Sequence, residues 1–200
     1  PDTGATTNTY DAAGNLKTRT DARGAQGVYT YDALNRMTRL AYPDKVFDFQ
    51  YDQGPNALGR LTQMTDCVSL TTWRYDTQGR VAGKEQTAYG TKLGLAYGYD
   101  AAGRLNRLTL PSGQILTYAY DPQGRIAGLS LGAAPLLSNI QYQAFGPAKR
   151  WTWGNGTPHA RSYDADGRIN GYPLAANART LSFDAAARIP GLTDTQPAAN

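Results

Sequence analysis

Aromatic and polar positions alternate along this chain in short runs. Tyr29 stands two residues before Tyr31, Phe49 before Tyr51, Trp73 before Tyr75, Tyr97 before Tyr99 and Tyr118 before Tyr120. A period of two puts both rings of each pair on one face of a β-strand. Asp-x-x-Gly usually follows, as in "YDTQGRV" from Tyr75, "YDAAGRL" from Tyr99 and "YDADGRI" from Tyr163. Aspartate accepts a hydrogen bond from backbone two residues on, and glycine takes the left-handed conformation, so these letters predict a type I turn closed by a bulge. An apolar residue then opens the returning strand: Leu16, Met37, Leu61, Val81, Leu105, Ile126, Ile169 or Ile189. The next apolar position usually lies three further on, at Leu40, Met64, Leu108, Leu129, Tyr172 or Leu192. That spacing keeps one face of a strand only if a bulge intervenes. A helix also uses spacing three, but the segments between Gly and Pro punctuation are about five to seven residues long, too short for one.

The same unit recurs along almost the whole chain. Copies start at Tyr10, Tyr31, Tyr51, Tyr75, Tyr99, Tyr120, Tyr142, Tyr163 and Phe183, with 20 to 24 residues between starts. The expected fold is all-β: tandem antiparallel β-hairpin repeats forming a curled sheet of about seventeen strands, with neighbours about 4.8 Å apart. One repeat array is expected over residues 1–200, with nine units between 10 and 192 and irregular ends. A parallel β-helix conflicts with the reversal signal, a propeller would leave an odd half blade, and the leucine and asparagine ladder of a leucine-rich repeat is missing.

The predicted turn pairs are Asp11 with Gly14, Asp32 with Asn35, Asp76 with Gly79, Asp100 with Gly103, Asp121 with Gly124 and Asp164 with Gly167. Asn35 is tolerable because asparagine visits the left-handed region more readily than other non-glycine residues. Ala187 in the ninth copy implies a different or strained turn, and that copy is expected to be the least regular. The insertion "GPNA" at Gly54–Ala57 should lengthen the third loop, and the seventh unit, "YQAFGP" from Tyr142, lacks the aspartate.

Composition narrows the function classes. Apolar residues at 40% with 18% charged suit an ordered chain, and the surplus of tyrosine, 14 residues, points to sheet. A net charge of +4 with no basic block gives no support to nucleic-acid or polybasic membrane binding. There is no long apolar run for a transmembrane helix, no secretory signal pattern and no initiator Met, so the chain is expected to be a piece of a longer protein. The single Cys67 cannot form an internal disulfide.

No catalytic, cofactor-binding or metal residue is expected. A carboxylate repeated at every turn reads as capping rather than acid/base chemistry, and Arg80, Arg104, Arg125 and Arg168 read as stacking on tyrosines or pairing across hairpins. His159 and Cys67 lie in different repeats of a strip whose units meet mainly their neighbours, so a dyad is not expected. "DADG" at Asp164–Gly167 begins like a calcium loop but lacks the later ligands, and there is neither a phosphate loop nor a zinc cluster. Aromatic ladders also stack on sugar rings, so Trp73, Trp151 and Trp153 are candidate glycan-binding residues, weighed against burial in the sheet wall.

The run "GRLNRLTLPSGQILTYAYDPQGR" from Gly103 to Arg125, set in nine tandem copies, resembles the YD repeat of bacterial Rhs proteins. WapA-type wall proteins, Tc toxin shell subunits and animal teneurins are relatives of that family. The resemblance spans Tyr10 to Ile189. It implies a strip of hairpins that spirals into a hollow shell, enclosing a C-terminal toxin or supporting cell-surface interaction, in a secreted or surface-bound parent. The partners it implies are the remainder of the shell and an enclosed toxin; glycans and self-association through open strand edges are further candidates. No "DPxGL" core box is present, so self-cleavage is not carried over to this chain.

Overall fold

In a computed structural model, residues 4–174 and 177–195 are described. Contacts divide the chain into two compact units, Pro1–Gly98 with Thr109–Ser112, and Tyr99–Leu108 with Gly113–Asn200. Every element among the described residues is a strand. The first unit carries β1 (Thr7–Tyr10), β2 (Leu16–Thr20), β3 (Gln26–Tyr31), β4 (Met37–Ala41) and β5 (Val46–Tyr51). It continues with β6 (Leu61–Thr65), β7 (Ser69–Tyr75), β8 (Val81–Ala88) and nearly all of β9 (Thr91–Tyr99). The second holds most of β10 (Leu105–Thr109), then β11 (Ile115–Tyr120), β12 (Ile126–Leu131), β13 (Ala134–Tyr142) and β14 (Ala148–Trp153). It ends with β15 (Pro158–Ala160), β16 (Ser162–Tyr163), β17 (Ile169–Leu174), β18 (Asn177–Ser182) and β19 (Gly191–Thr195).

Strand order follows chain order, β1 to β15 in one sheet and β16 to β19 in a second. Nineteen strands among the described residues replace the expected seventeen for a simple reason. Each of nine units supplies two, and the first strand of the eighth is split at Arg161 into β15 and β16.

Within each hairpin the turn and the bulge are built from the same few residues. At the fifth repeat the Asp100 N–H donates to the Arg104 carbonyl at 2.9 Å, and the Gly103 N–H donates to the Asp100 carbonyl at 2.9 Å. Gly103 has φ +81°, open to glycine at no steric cost. The returning strand then carries one extra residue. Tyr31 faces Met37 while Thr30 faces Arg39, leaving Thr38 unpaired, and Tyr29 faces Leu40. The bulge is what lets apolar residues three apart share a face. It recurs between Tyr120 and Ile126, with Ala127 extra, and between Tyr163 and Ile169, with Asn170 extra.

Two turns depart from the expected outcome. The ninth keeps the regular geometry, with the Ala187 N–H donating to the Asp184 carbonyl at 2.9 Å and Ala187 forced to φ +59°. The less regular turn is the seventh, where the bond from the Gly146 N–H to the Gln143 carbonyl stretches to 3.4 Å and Phe145 is fully exposed. Left-handed backbone costs an alanine more than a glycine, so Ala187→Gly should stabilise the last hairpin by about 1 kcal/mol. A raised urea midpoint with unchanged slope would show it; a lowered one would mean that the flexibility gained by the unfolded chain dominates.

Full burial is rare. Among the described residues only Ala57, Thr62, Thr71 and three glycines reach it. Most strand residues are half-buried, so the hairpins must be held to one another by contacts along the sheet rather than by a thick apolar interior.

Candidate functional site: the aspartate, arginine and tyrosine ladder

The turn end of the sheet carries a repeated three-residue arrangement. Asp100 Oδ1 accepts the N–H groups of Ala102 at 3.0 Å and Arg104 at 2.9 Å, and its Oδ2 accepts Arg104 Nε at 2.7 Å. The fork of the guanidinium, held against the carboxylate, fixes its plane. That plane lies 4.4 Å from the centroid of the Tyr120 ring in the following repeat. The Tyr120 hydroxyl then donates back to the Leu105 carbonyl at 2.6 Å. Aspartate thus shapes the turn, arginine is positioned by aspartate, and tyrosine ties the next hairpin to the previous strand.

The same geometry continues along the second unit. Asp121 holds Arg125, which lies 4.5 Å from the Tyr142 centroid, and the Tyr142 hydroxyl donates to the Ile126 carbonyl at 2.7 Å. Asp164 holds Arg168, which covers Phe183 at 4.6 Å; phenylalanine keeps the stack and gives up the hydroxyl bond. Tyr163 donates to the Ala148 carbonyl at 2.8 Å. In the first unit Tyr31 donates to the Leu16 carbonyl and Tyr51 to the Met37 carbonyl, each at 2.9 Å. A hydrogen bond of this kind contributes about 1 kcal/mol net, so a row of them matters where little else is buried.

Asp11 follows the pattern in part, whereas Asp76 keeps the ion pair with its arginine. Asp11 accepts from the N–H groups of Ala13 and Asn15, and Asn15 replaces the arginine, reaching Asn35 of the next turn at 2.8 Å. Asp76 accepts Arg80 Nε at 2.7 Å, and Gly79 supplies its carbonyl to Arg60 Nε at 2.9 Å. Asp32 accepts Arg36 Nε at 2.7 Å, and Asn35 takes φ +59° in the glycine place. Gly14, Gly124 and Gly167 lie between φ +79° and +84°.

Sequence reasoning missed three features. Asp21 and Gly24 close a further turn of the same kind between β2 and β3, legible in the letters "DARG" although no tyrosine precedes them. The hydroxyl-to-carbonyl bonds leave no mark in the sequence beyond the tyrosine itself. Asp52 is the third: the inserted residues move Arg60 eight places away, and Asp52 pairs instead with Arg36 of the preceding repeat through 3.1 and 2.8 Å contacts. Arg36 also lies 4.4 Å from the Tyr51 centroid. The Asp52 carboxylate, then that of Asp32, raises the Arg36 pKa further above its ordinary value.

Electrostatics follow from these partners. The Arg104 backbone N–H, and then the Arg104 side chain, hold the Asp100 carboxyl below the usual aspartate value against an opposing cost of burial. Asp32 and Asp184 are lowered by the same leading cause, the N–H of the arginine four residues on. The carboxylates therefore stay ionised and matched at neutral pH, an arrangement suited to clamping.

The tryptophans have different surroundings. Trp73 faces Lys84 across β7 and β8, with the Lys84 ammonium 5.8 Å from its ring. Trp151 stacks on His159 at 4.1 Å and has Arg161 4.8 Å from its centroid, while Trp153 meets Trp151 edge-on at 5.6 Å and is 44% exposed. Burial, then the Arg161 charge, pushes the His159 imidazole below its ordinary pKa. Cys67 is exposed on the turn between β6 and β7. Asp164 and Asp166 both face Arg168 at 2.7 Å, and no group of three metal-ligating side chains occurs among the described residues.

The sequence profile described as RHS Repeat matches residues 10–46, 56–92 and 99–133. No curated protein matches the chain. Among solved structures, TcdB2-TccC3 superposes with a TM-score of 0.89 at 17% identity, covering 99% of this chain and 12% of that one. TcdB2-TccC3 without its hypervariable C-terminal region gives 0.87 at 17% identity, over 96% of this chain and 11% of that one. The Photorhabdus luminescens Tc holotoxin pore gives 0.85 at 18% identity, over 99% and 12%. At these identities the likeness is one of fold, and this chain spans about an eighth of the length of each structure.

Proposed function

Since the chain belongs to the RHS repeat family, we propose that it is a structural wall segment of a YD-repeat shell, and that the shell of its parent encloses a polypeptide carried at the C-terminal side. The observation that supports this most is the ladder itself. At the fifth and sixth repeats the turn fastens the next hairpin through one ion pair, one ring stack and one hydroxyl bond, so the unit can be added repeatedly without new chemistry. The few fully buried side chains point the same way, since a wall needs cohesion along the sheet more than a private core. An exported parent fits a shell that delivers its contents outside the cell.

Limited proteolysis of the parent protein tests the reading. The downstream polypeptide should resist protease in the intact parent and become susceptible when Asp100→Ala and Asp121→Ala are combined, because two consecutive turns then lose their clamps. Cleavage of that polypeptide at equal rates in both proteins would refute enclosure.

A further inference from the structure

The ladder is interrupted inside the strip. Of the nine units, only the seventh lacks both its aspartate and its arginine: Gln143 and Pro147 stand in those places. Guanidinium groups lie 4.4 to 4.6 Å from the ring centroids of Tyr51, Tyr120, Tyr142 and Phe183, but none covers Tyr163 among the described residues. The Tyr163 hydroxyl still donates to the Ala148 carbonyl, which holds the ring in place. A cleft of about 530 Å³ opens at this gap, within the second unit, lined in part by Gln143, Lys149, Arg161, Ser162, Tyr163 and Asp164. Two cations meet there. The Arg161 N–H donates to the Lys149 carbonyl at 2.7 Å, one step beyond the Arg150 and Ala160 pair, so the two side chains leave adjacent strands at facing positions. Like charges directly opposite each other repel. Neither forms an ion pair among the described residues, and the acid in the cleft, Asp164, is committed to Arg168 at 2.7 Å.

We propose that this cleft binds a hexuronate residue of an acidic glycan. The sugar carboxylate sits between Lys149 and Arg161, accepting from both and relieving their repulsion. The apolar C–H face of the pyranose lies on the Tyr163 ring, in the place that a guanidinium takes over Tyr51, Tyr120 and Tyr142. Gln143 and Ser162 offer donors and acceptors to the ring hydroxyls. Two cations match one carboxylate, whereas a phosphate backbone would call for a longer basic row. Arg161 is already oriented by Trp151, 4.8 Å from its centroid, and Tyr163 by its hydroxyl bond, so little side-chain freedom remains to be lost on binding. Trp151 thus positions Arg161 and is not the sugar platform. The inference concerns the seventh repeat alone and does not depend on what the parent encloses.

Calorimetric titration of this chain with trigalacturonate, beside galactotriose and triglutamate, provides the test. Galactotriose keeps the rings without the charge, and triglutamate keeps the carboxylates without the rings. Trigalacturonate should bind saturably, about tenfold or more tightly than either control, and more weakly as salt is raised. Lys149→Gln changes an exposed side chain, so the fold should be unchanged by circular dichroism while affinity drops by about tenfold. Gln143→Asp combined with Pro147→Arg rebuilds the clamp over Tyr163 and should abolish binding in a folded protein; if that variant does not fold, Lys149→Gln decides by itself. No saturable binding of trigalacturonate, equal binding of galactotriose or triglutamate, or full affinity in Lys149→Gln or in the folded clamp variant would each overturn the proposal.

Discussion

Alanine at Gly154 should cost about 3 kcal/mol, the largest effect expected of a single methyl group in this protein. Gly154 follows Trp153 at the end of β14, where its N–H donates to the Leu136 carbonyl at 2.8 Å. A Cβ there would overlap the Pro135 carbonyl oxygen and lie 3.3 Å from the Leu136 Cα. These are backbone atoms of the neighbouring strand, and they cannot rotate away as a side chain would. Two residues on, Gly156 makes the contrast: φ is +83°, but nothing lies within 4 Å of its would-be Cβ. Gly156→Ala should therefore cost only the left-handed penalty, about 1 kcal/mol. Urea midpoints for the two variants should separate accordingly, and hydrogen exchange should show the loss concentrated in β13 and β14. Equal losses for both would mean that the strands move apart at little cost.

Acid should dismantle the ladder cooperatively. Aspartate in an unfolded chain titrates near 4, whereas Asp11, Asp32, Asp76, Asp100, Asp121, Asp164 and Asp184 all lie lower in the folded chain. A folded pKa below the unfolded one means that protonation favours unfolding. The contribution is complete above the unfolded value and is lost as pH falls through the folded values, so the main decline belongs below about pH 4. His159 adds a smaller decline that begins below about pH 6.5, because its lowered folded pKa leaves the unfolded imidazole the better base. Denaturation midpoints from pH 7 to pH 2.5 should show a plateau, a shallow step and a steep fall. Asp100→Asn retains an acceptor for the turn but loses the charge that holds Arg104; it should lower the plateau and flatten the fall. Stability unchanged down to pH 3 would show that the carboxylates are not linked to folding.

How far the letters alone reach can be judged from particular residues. Tyr120 and Gly124 illustrate the legible part: a period of two, a reversal and an apolar residue after it are all decided within about seven residues, by backbone stereochemistry and side-chain direction. The bulge was legible as well, since Met37 and Leu40 cannot share a face of an unbulged strand. Asp52 shows the limit. Its letters match the repeat, but its partner is the arginine sixteen residues earlier, and that choice depends on where an inserted loop leaves Arg60. Trp151 is similar, because its stack on His159 requires β14 and β15 to pair in one register.

By itself, then, the sequence determined that the chain reverses again and again into antiparallel hairpins, because turn geometry is a local property of Asp, Gly and their neighbours. Only the tertiary structure decided that the rings of Tyr51, Tyr120 and Tyr142 rest beneath the arginines of the repeats before them and that their hydroxyls reach back to carbonyls fourteen to sixteen residues away. Those contacts join different hairpins, and their partners are chosen by strand register and by which side chains the neighbouring turn has already committed.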